Sequence, residues 1–381
     1  MRILIAAGGT GGHIYPALAV ARSLRERAAA DLELRWLGGR RGLEGRIVRD
    51  HGLPIDRLWV RSLRSVELSL HTVLDPLRLM LSVPQAVAML IRRRPAVIFT
   101  TGGYLAIPVL IAATLLRIPA VMWEGNLLAG RSVRATARLA NALAVSFADT
   151  CAQLPGPCYV TGTPIRSFDG LERAGARAAL GLPPDVPAML IFGGSQAVRR
   201  LNDAVAQVLP ELVQRASLVH VCGEAELAGA QANRERLPET LRVRYQPHAF
   251  MDAEMSAALV AAEIIVGRAG SSTLAEAAAL GTPIVVVPYP HASGHQRANA
   301  RLLADAGAAI VVADKDFDAD ALRSAVELLA DPARLAPMRE AARTLGRPGA
   351  ANAVAELVMA MAGRHAMPLP SAIDELSRAG A

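Results

Sequence analysis

Residues 3–12 read ILIAAGGTGG, and residues 189–197 read MLIFGGSQA. Each is a short apolar run that ends in two glycines and a hydroxyl or amide residue and then gives way to helical periodicity. A buried strand turning through glycine into a helix is the opening unit of a Rossmann-like domain. Two such openings predict an α/β fold of two Rossmann-like domains with parallel sheets. Each has a glycine turn at the carboxyl end of its first strand, the edge at which open α/β sheets bind ligands. Two domains facing each other would make a cleft.

Outward from both turns, short apolar runs alternate with amphipathic stretches, the pattern of repeated β-α units. Strands are expected at 3–6, 34–37, 96–100, 120–123, 142–147 and 158–160, and again at 188–192, 218–221, 241–245, 263–266, 283–287 and 309–312. Helices are expected at 16–27, with Pro16 at the start, and at 272–280 and 295–306. Pro108 reads as the start of a new element. The turn-rich segment around 163–187 marks the junction. The expected domains are 1–163, joined by a helix near 349–365, and 164–348, with a tail at 366–381 that is either loosely held or wrapped across the back.

The 381 residues suit two domains, and 52% hydrophobic content excludes a disordered chain. The charge is uneven. Residues 1–165 carry 20 arginines against 10 acidic groups, whereas the rest carries 21 cations against 24 acids. A basic first half suits anionic partners such as phosphates or acidic lipid, although part of the excess is codon usage, since Lys315 is the only lysine. With 4% aromatic residues and no base-stacking motif, nucleic acid is not an expected partner. Cys151, Cys158 and Cys222 have no metal-ligand spacing. Their odd count, with no secretory signal, points to a reducing compartment. The longest apolar stretch, 104–116, is too short to span a bilayer.

Candidate sites follow the strand ends. Gly8-Gly-Thr-Gly-Gly-His13 offers close backbone approach and helix-start N–H groups to an anion. It is neither a dinucleotide fingerprint nor a P-loop. His13 is a candidate general base, against the alternative of a plain helix-start histidine. Gly193-Gly-Ser-Gln196 is the matching turn, with Ser195 as a phosphate contact or simply part of a tight connection. In Gly267-Arg-Ala-Gly-Ser-Ser-Thr-Leu-Ala-Glu276, hydroxyls and N–H donors converge at a positive helix end, which suits a pyrophosphate. Glu276 could take both hydroxyls of a ribose. The alternative is a capping box from Thr273 to Glu276. His295, Gln296 and Asn299 share a helical face and could bind sugar hydroxyls or be solvated. Thr101-Gly-Gly-Tyr104, Trp123-Glu-Gly-Asn126 and Thr161-Gly-Thr-Pro-Ile-Arg166 also end strands, and Arg166 could pair with a phosphate. Asp314-Lys-Asp-Phe-Asp-Ala-Asp320 has the Asp-x-Asp spacing of some metal-dependent sugar transferases. It reads better as helix capping, so no metal site is expected.

Taken together, GGTGGHIYP at 8–16, TGGYLAIP at 101–108, WEGN at 123–126, TGTPIR at 161–166, GGSQA at 193–197, GRAGSSTLAE at 267–276, GTPIVVVPYP at 281–290 and HQRANA at 295–300 keep the order of one family. The chain resembles the MurG family, the UDP-N-acetylglucosamine–lipid I transferases of peptidoglycan synthesis. The resemblance implies the GT-B architecture and an inverting transfer with no cofactor and no essential metal. It implies UDP-GlcNAc as donor and lipid I as undecaprenyl-linked acceptor. It also implies work at an anionic membrane surface, peripherally on the cytoplasmic side. Carried over by position, Thr10, Gly11 and Gly12 lie near the donor sugar and diphosphate, and Asn126 contacts the sugar. Arg166 and Ser195 hold the donor, and Met251 falls at the uracil contact. Ser271, Ser272, Thr273, Leu274, Ala275 and Glu276 hold diphosphate and ribose, while Gln296 and Asn299 reach the sugar. The chain departs from the family at Trp123 and Gly125, where His and Gln are usual, at Ala197-Val198, where Gly-Ala is usual, and at His295, where a glutamine is common. A UDP-GlcNAc 2-epimerase or another glycolipid synthase of the same fold, an NAD-dependent oxidoreductase and a silent UDP-sugar-binding subunit remain as alternatives. The oxidoreductase lacks the acidic ribose reader in the first domain. Residues 68–94 mix leucines with Arg78 and Arg92-Arg-Arg94, which suits either an amphipathic membrane patch or a core helix with a basic end.

Overall fold

The computed structural model describes residues 1–27, 32–40, 44–60, 70–193, 198–290 and 294–379, with the backbone alone over 70–77. The chain forms two compact units, Met1–Arg166 with Arg347–Ala381, and Ser167–Gly346.

The first unit is built on seven parallel strands: β1 (Arg2–Ala6), β2 (Glu33–Gly39), β3 (Ile55–Leu58), β4 (Val97–Thr100), β5 (Ala120–Glu124), β6 (Ala142–Val145) and β7 (Cys158–Val160). They lie in the order β3-β2-β1-β4-β5-β6-β7. Side chains alternate between two covered faces, which is why the strands are apolar throughout. Ile3, Ile5, Trp36, Phe99 and Trp123 pack on one face beneath the helices Gly11–Arg27 and Ala350–Gly363. Leu4, Ala6, Ile98 and Met122 pack on the other, with Leu90, Val109 and Leu110. The helix Ala350–Gly363 returns to this unit, and Ser23 hydrogen-bonds Asn352 across the two helices at 2.6 Å. After it, the helix Pro370–Arg378 buries Ile373 and is pinned by an Arg347–Asp374 ion pair of 2.7 Å.

The second unit has six parallel strands: β8 (Ala188–Phe192), β9 (Ser217–Val221), β10 (Tyr245–His248), β11 (Ile264–Gly267), β12 (Ile284–Val286) and β13 (Ala309–Val311), in the order β10-β9-β8-β11-β12-β13. Both sheets therefore reverse direction of growth beside their first strand, between β1 and β4 and between β8 and β11. Switch points of this kind open a crevice at the strands' carboxyl ends.

Several expectations are corrected. The strand expected at 241–245 is a helical turn, Glu239–Arg242, and β10 follows it through Pro247. Proline belongs at a sheet edge, and β10 is an edge strand. β3 is a further edge strand that periodicity missed, because Asp56 and Arg57 interrupt its apolar pattern. The first helix begins at Gly11, before Pro16, and the helix Gly103–Leu115 runs through Pro108. Each proline lies in its helix's second turn and forfeits one backbone bond near the mouth of the helix. The thiol expectation changes too. Cys151 ends a short helix and Cys158 begins β7, so their Cα atoms come within 5.7 Å and the two form a disulfide. Cys222 is a buried thiol.

Candidate active site

In the first unit the glycine turn after β1 and the turn after β4 meet at the switch point. The Thr10 carbonyl accepts the N–H groups of His13 and Ile14, which opens the helix at the turn. His13 is half-buried, and its Nδ1 donates to the Thr101 carbonyl at 2.8 Å. The Thr101 hydroxyl donates back to the His13 carbonyl at 3.2 Å. With the proton held on Nδ1, the neutral ring carries its lone pair on Nε2, the tautomer a general base needs. Gly102 and Gly103 have φ of 78° and 72°, and a Cβ on Gly103 would lie 3.5 Å from His13 Nε2. Left-handed glycines thus let the second turn pass beneath the imidazole. Thr10 is half-buried, Gly11 buried and Gly12 exposed.

Asn126 follows β5. Its backbone N–H and its Nδ2 both donate to Glu124 Oε1, at 2.9 and 2.8 Å, and Gly130 N donates to Glu124 Oε2 at 2.8 Å. Glu124 is buried, and all three hydrogen bonds are partly buried. The departure at Trp123 has a local reason: its indole N–H donates to the Gly162 carbonyl at 3.0 Å, tying the end of β5 to the turn before Arg166. The Arg166 guanidinium lies over the Tyr15 ring, 5.3 Å from its centroid.

In the second unit the helix Ser271–Leu280 follows β11 after the short turn Arg268-Ala269-Gly270. Its N-cap is Gly270, with no side-chain cap hydrogen bond. Thr273 is inside the helix, so the capping-box alternative does not hold. The helix start presents backbone donors of the kind that hold a phosphate. Ser272 Oγ is buried and without a hydrogen-bond partner, and Thr273 and Glu276 are buried. Arg268 is the residue beside this start that sequence reasoning missed. It is buried, donates to the Val287 carbonyl at 3.0 Å, pairs with Asp314 at 2.5 Å and lies over the Tyr289 ring. Asp314 is therefore an ion-pair partner, while Asp318 caps the following helix. Among the described residues, no group of three or more His, Cys, Asp or Glu is arranged to hold a metal ion.

Gln296 accepts the Tyr289 N–H at 2.8 Å. Asn299 is fully buried, which excludes the solvated reading for it. Met251 is buried after β10. His220 of β9 hydrogen-bonds Tyr245, the first residue of β10, at 2.9 Å and Asn202 of the helix Arg199–Arg215 at 3.0 Å. Burial, then the charge of His248, pushes His220 down to about 4, so it is a neutral structural ring. Ser195 lies outside the described residues. Glu124 and Arg268 carried only one signal in the sequence, a charge beside a buried strand or a glycine turn.

The N-terminal domain model of glycosyltransferase family 28 matches residues 3–145, and the C-terminal domain model of that family matches residues 188–356. The chain is 40% identical over 367 residues to the UDP-N-acetylglucosamine–N-acetylmuramyl-(pentapeptide) pyrophosphoryl-undecaprenol N-acetylglucosamine transferase of a Nocardioides species, covering 94% of this chain and 98% of that one. It is 36% identical over 377 residues to the transferase of the same name from Desulforudis audaxviator, covering 96% and 99%. The crystal structure of Acinetobacter baumannii MurG superposes with a TM-score of 0.70 at 27% identity, over 94% of this chain and 99% of that one. A UDP-GlcNAc 2-epimerase from Neisseria meningitidis, at 14% identity and a TM-score of 0.63, covering 94% and 100%, shares the fold.

Proposed function

Because the chain belongs to the MurG transferases of glycosyltransferase family 28, we propose that it moves N-acetylglucosamine from UDP-GlcNAc to the 4-hydroxyl of the muramyl sugar of lipid I. The product is lipid II, and the process served is peptidoglycan synthesis, with the wall growth, cell shape and division that depend on it. The relatives that carry this reading match nearly end to end, whereas the epimerase likeness is one of fold alone.

The observation that carries the chemistry is the hydrogen bond from His13 Nδ1 to the Thr101 carbonyl. In the proposed step the acceptor hydroxyl attacks the anomeric carbon, the bond to UDP breaks, and Nε2 takes the hydroxyl proton. Such a base contributes about 10²–10⁴-fold. The leaving diphosphate is held by N–H groups and hydroxyls at Gly270–Thr273, with Arg166, Ser195 and the glycine turns assisting. Fixed donors of this kind stabilise charge as it develops. Glu276 takes the ribose, Met251 the uracil, and Asn126, Gln296 and Asn299 the sugar. Support comes from the uncapped helix start and the buried Glu276.

The acceptor's lipid remains in a bilayer. No helix among the described residues is long and apolar enough to cross a membrane. Peripheral binding at the cytoplasmic face of the inner membrane is supported by the helices Leu70–Arg93 and Gly103–Leu115. Both run back toward the amino ends of the strands, so their last turns lie at one edge of the sheet. Leu115 is 67% exposed there and Ile91 52%, with exposed Arg92, Arg94 and Arg117 beside them. Apolar side chains ringed by arginines suit anionic lipid. Leu74 and Leu77 of the same stretch lie outside the described side chains.

The deciding experiment incubates purified chain with labelled UDP-GlcNAc and lipid I. Label in a disaccharide lipid is expected. Free epimerised donor, or no turnover, would refute the reading. Sedimentation with liposomes should require acidic lipid.

A further inference from the structure

A buried carboxylate lies against the glycine turn that leads to His13. Glu44 begins the helix Glu44–Asp50 and is fully buried. Its Oε1 accepts the Gly39 N–H at 3.0 Å, and its Oε2 accepts the Gly9 N–H at 3.3 Å. Gly39 ends β2 and Gly9 follows β1, so one side chain bridges the carboxyl ends of two neighbouring strands. The surrounding glycines make the room. A Cβ on Gly8 would lie 2.7 Å from Glu44 Oε1, and one on Gly38 3.0 Å from Glu44 Cγ. Tyr104 packs on the same turn: a Cβ on Gly9 or on Gly39 would come within 2.9 Å of its ring or its hydroxyl. Burial, and then the charge of Glu44, pushes the Tyr104 phenol up to about 12, so it stays protonated.

A buried carboxylate is unfavourable unless donors meet its oxygens, and an apolar side chain would fill the same space at less cost. The two donors here are backbone groups that a glutamine could not both satisfy, because its amide would set N–H against N–H. We propose that Glu44 is a positioning residue for the transfer reaction, holding the turn at Gly9 so that Thr10 and the first helical turn present His13 to the Thr101 carbonyl. The inference rests on His13 as the base. Displacing a reacting group by about 1 Å can slow a reaction about 10²-fold, so a small shift of this turn matters.

The test uses the full chain as the native protein and as E44Q, E44D and H13A. Turnover is measured with UDP-GlcNAc and lipid I, UDP affinity by calorimetry, and amide hydrogen exchange over residues 7–13 by mass spectrometry. E44Q should lose about tenfold or more in kcat, while KM for UDP-GlcNAc and UDP affinity stay within about twofold. Its amides over 7–13 should exchange faster. E44D keeps the charge on a shorter arm and should fall between E44Q and the native chain in both readouts. Native turnover in E44Q, or slow turnover with native exchange over 7–13, overturns the proposal. So does loss of a cooperative melt in both Glu44 variants, since the carboxylate would then serve the fold at large. H13A separates the two readings. If H13A is slow and E44Q fast, only the role of Glu44 falls. If H13A turns over normally, the base assignment falls and takes the proposal with it.

Discussion

His13 and Thr101 grip each other twice: the ring Nδ1 donates to the Thr101 carbonyl at 2.8 Å, and the Thr101 hydroxyl donates to the His13 carbonyl at 3.2 Å. The ring is thereby fixed in both orientation and tautomer by groups of a neighbouring strand end. If His13 is the base, His13→Ala should reduce kcat by about 10²–10⁴-fold and leave UDP affinity nearly unchanged. Equal loss of both, by steady-state kinetics and calorimetry, would mean that the ring binds donor instead.

Gly102 sets where that carbonyl points. Its φ is 78°, and a Cβ would lie 2.7 Å from Val133 Cγ2. Gly102→Ala should cost about 1–3 kcal/mol of stability and slow turnover together, because relieving the strain moves Thr101. A variant that melts at lower temperature yet keeps native kcat would separate Thr101 from the chemistry.

Glu124 and Asn126 should behave as one unit, since Glu124 holds the amide of Asn126 in place. Each alanine variant should raise KM for UDP-GlcNAc or slow turnover. The double variant should be little worse than the poorer single one, a departure from additivity of about 1 kcal/mol or more. Additive losses in a double-mutant cycle would show that Asn126 does not depend on Glu124.

Asp56 gives a pH signature. Partial burial works to raise its carboxyl, but hydrogen bonds and charge from Arg93 and Arg35 outweigh burial and hold it below its ordinary value. A carboxyl depressed by folding stabilises the protein above its unfolded-state pKa, and the contribution is lost as pH falls through the folded-state value. Asp56→Asn should therefore lower stability by about 1 kcal/mol near neutral pH, with the gap from the native chain closing below about pH 4. Urea midpoints that keep a constant gap down to about pH 3 would contradict this.

The Cys151–Cys158 pair makes a counting prediction. Unfolded without reductant, the chain should offer one reactive thiol, from Cys222, and three after reduction. Cys151→Ser should lower the melting temperature, with a stability loss of about 2 kcal/mol for so short a loop. Three thiols before reduction would show the pair to be open.

The two nucleotide-fold openings were legible because glycine is required where a strand turns at once into a helix, and that requirement is local. The positions after β1, β4 and β11 were legible for the same reason. The edge strands β3 and β10 were not, since Asp56 and Pro247 break the apolar pattern and only pairing with a neighbour makes them strands. Glu44, Glu124 and Arg268 read as ordinary charges, because what buries them comes from distant segments. Thr273 and Glu276 matched a capping signature by spacing alone, and only the helix start at Gly270 separates that reading from an open anion site. The Cys151–Cys158 bond was obscured by an argument from compartment, which takes no account of a strand beginning just beyond a helix end.

The return of the helix Ala350–Gly363 to the first unit has a consequence for biosynthesis. On the ribosome, the segment Ser167–Gly346 emerges whole and can complete its own core as a contiguous piece. The amino-terminal sheet emerges earlier but must wait, with the apolar face around Ile3, Phe99 and Trp123 covered only in part by the helix Gly11–Arg27, until Val354 and Val358 have been translated. The half that is made first is thus finished last, and a nascent chain stalled before residue 350 would be a natural client for a chaperone.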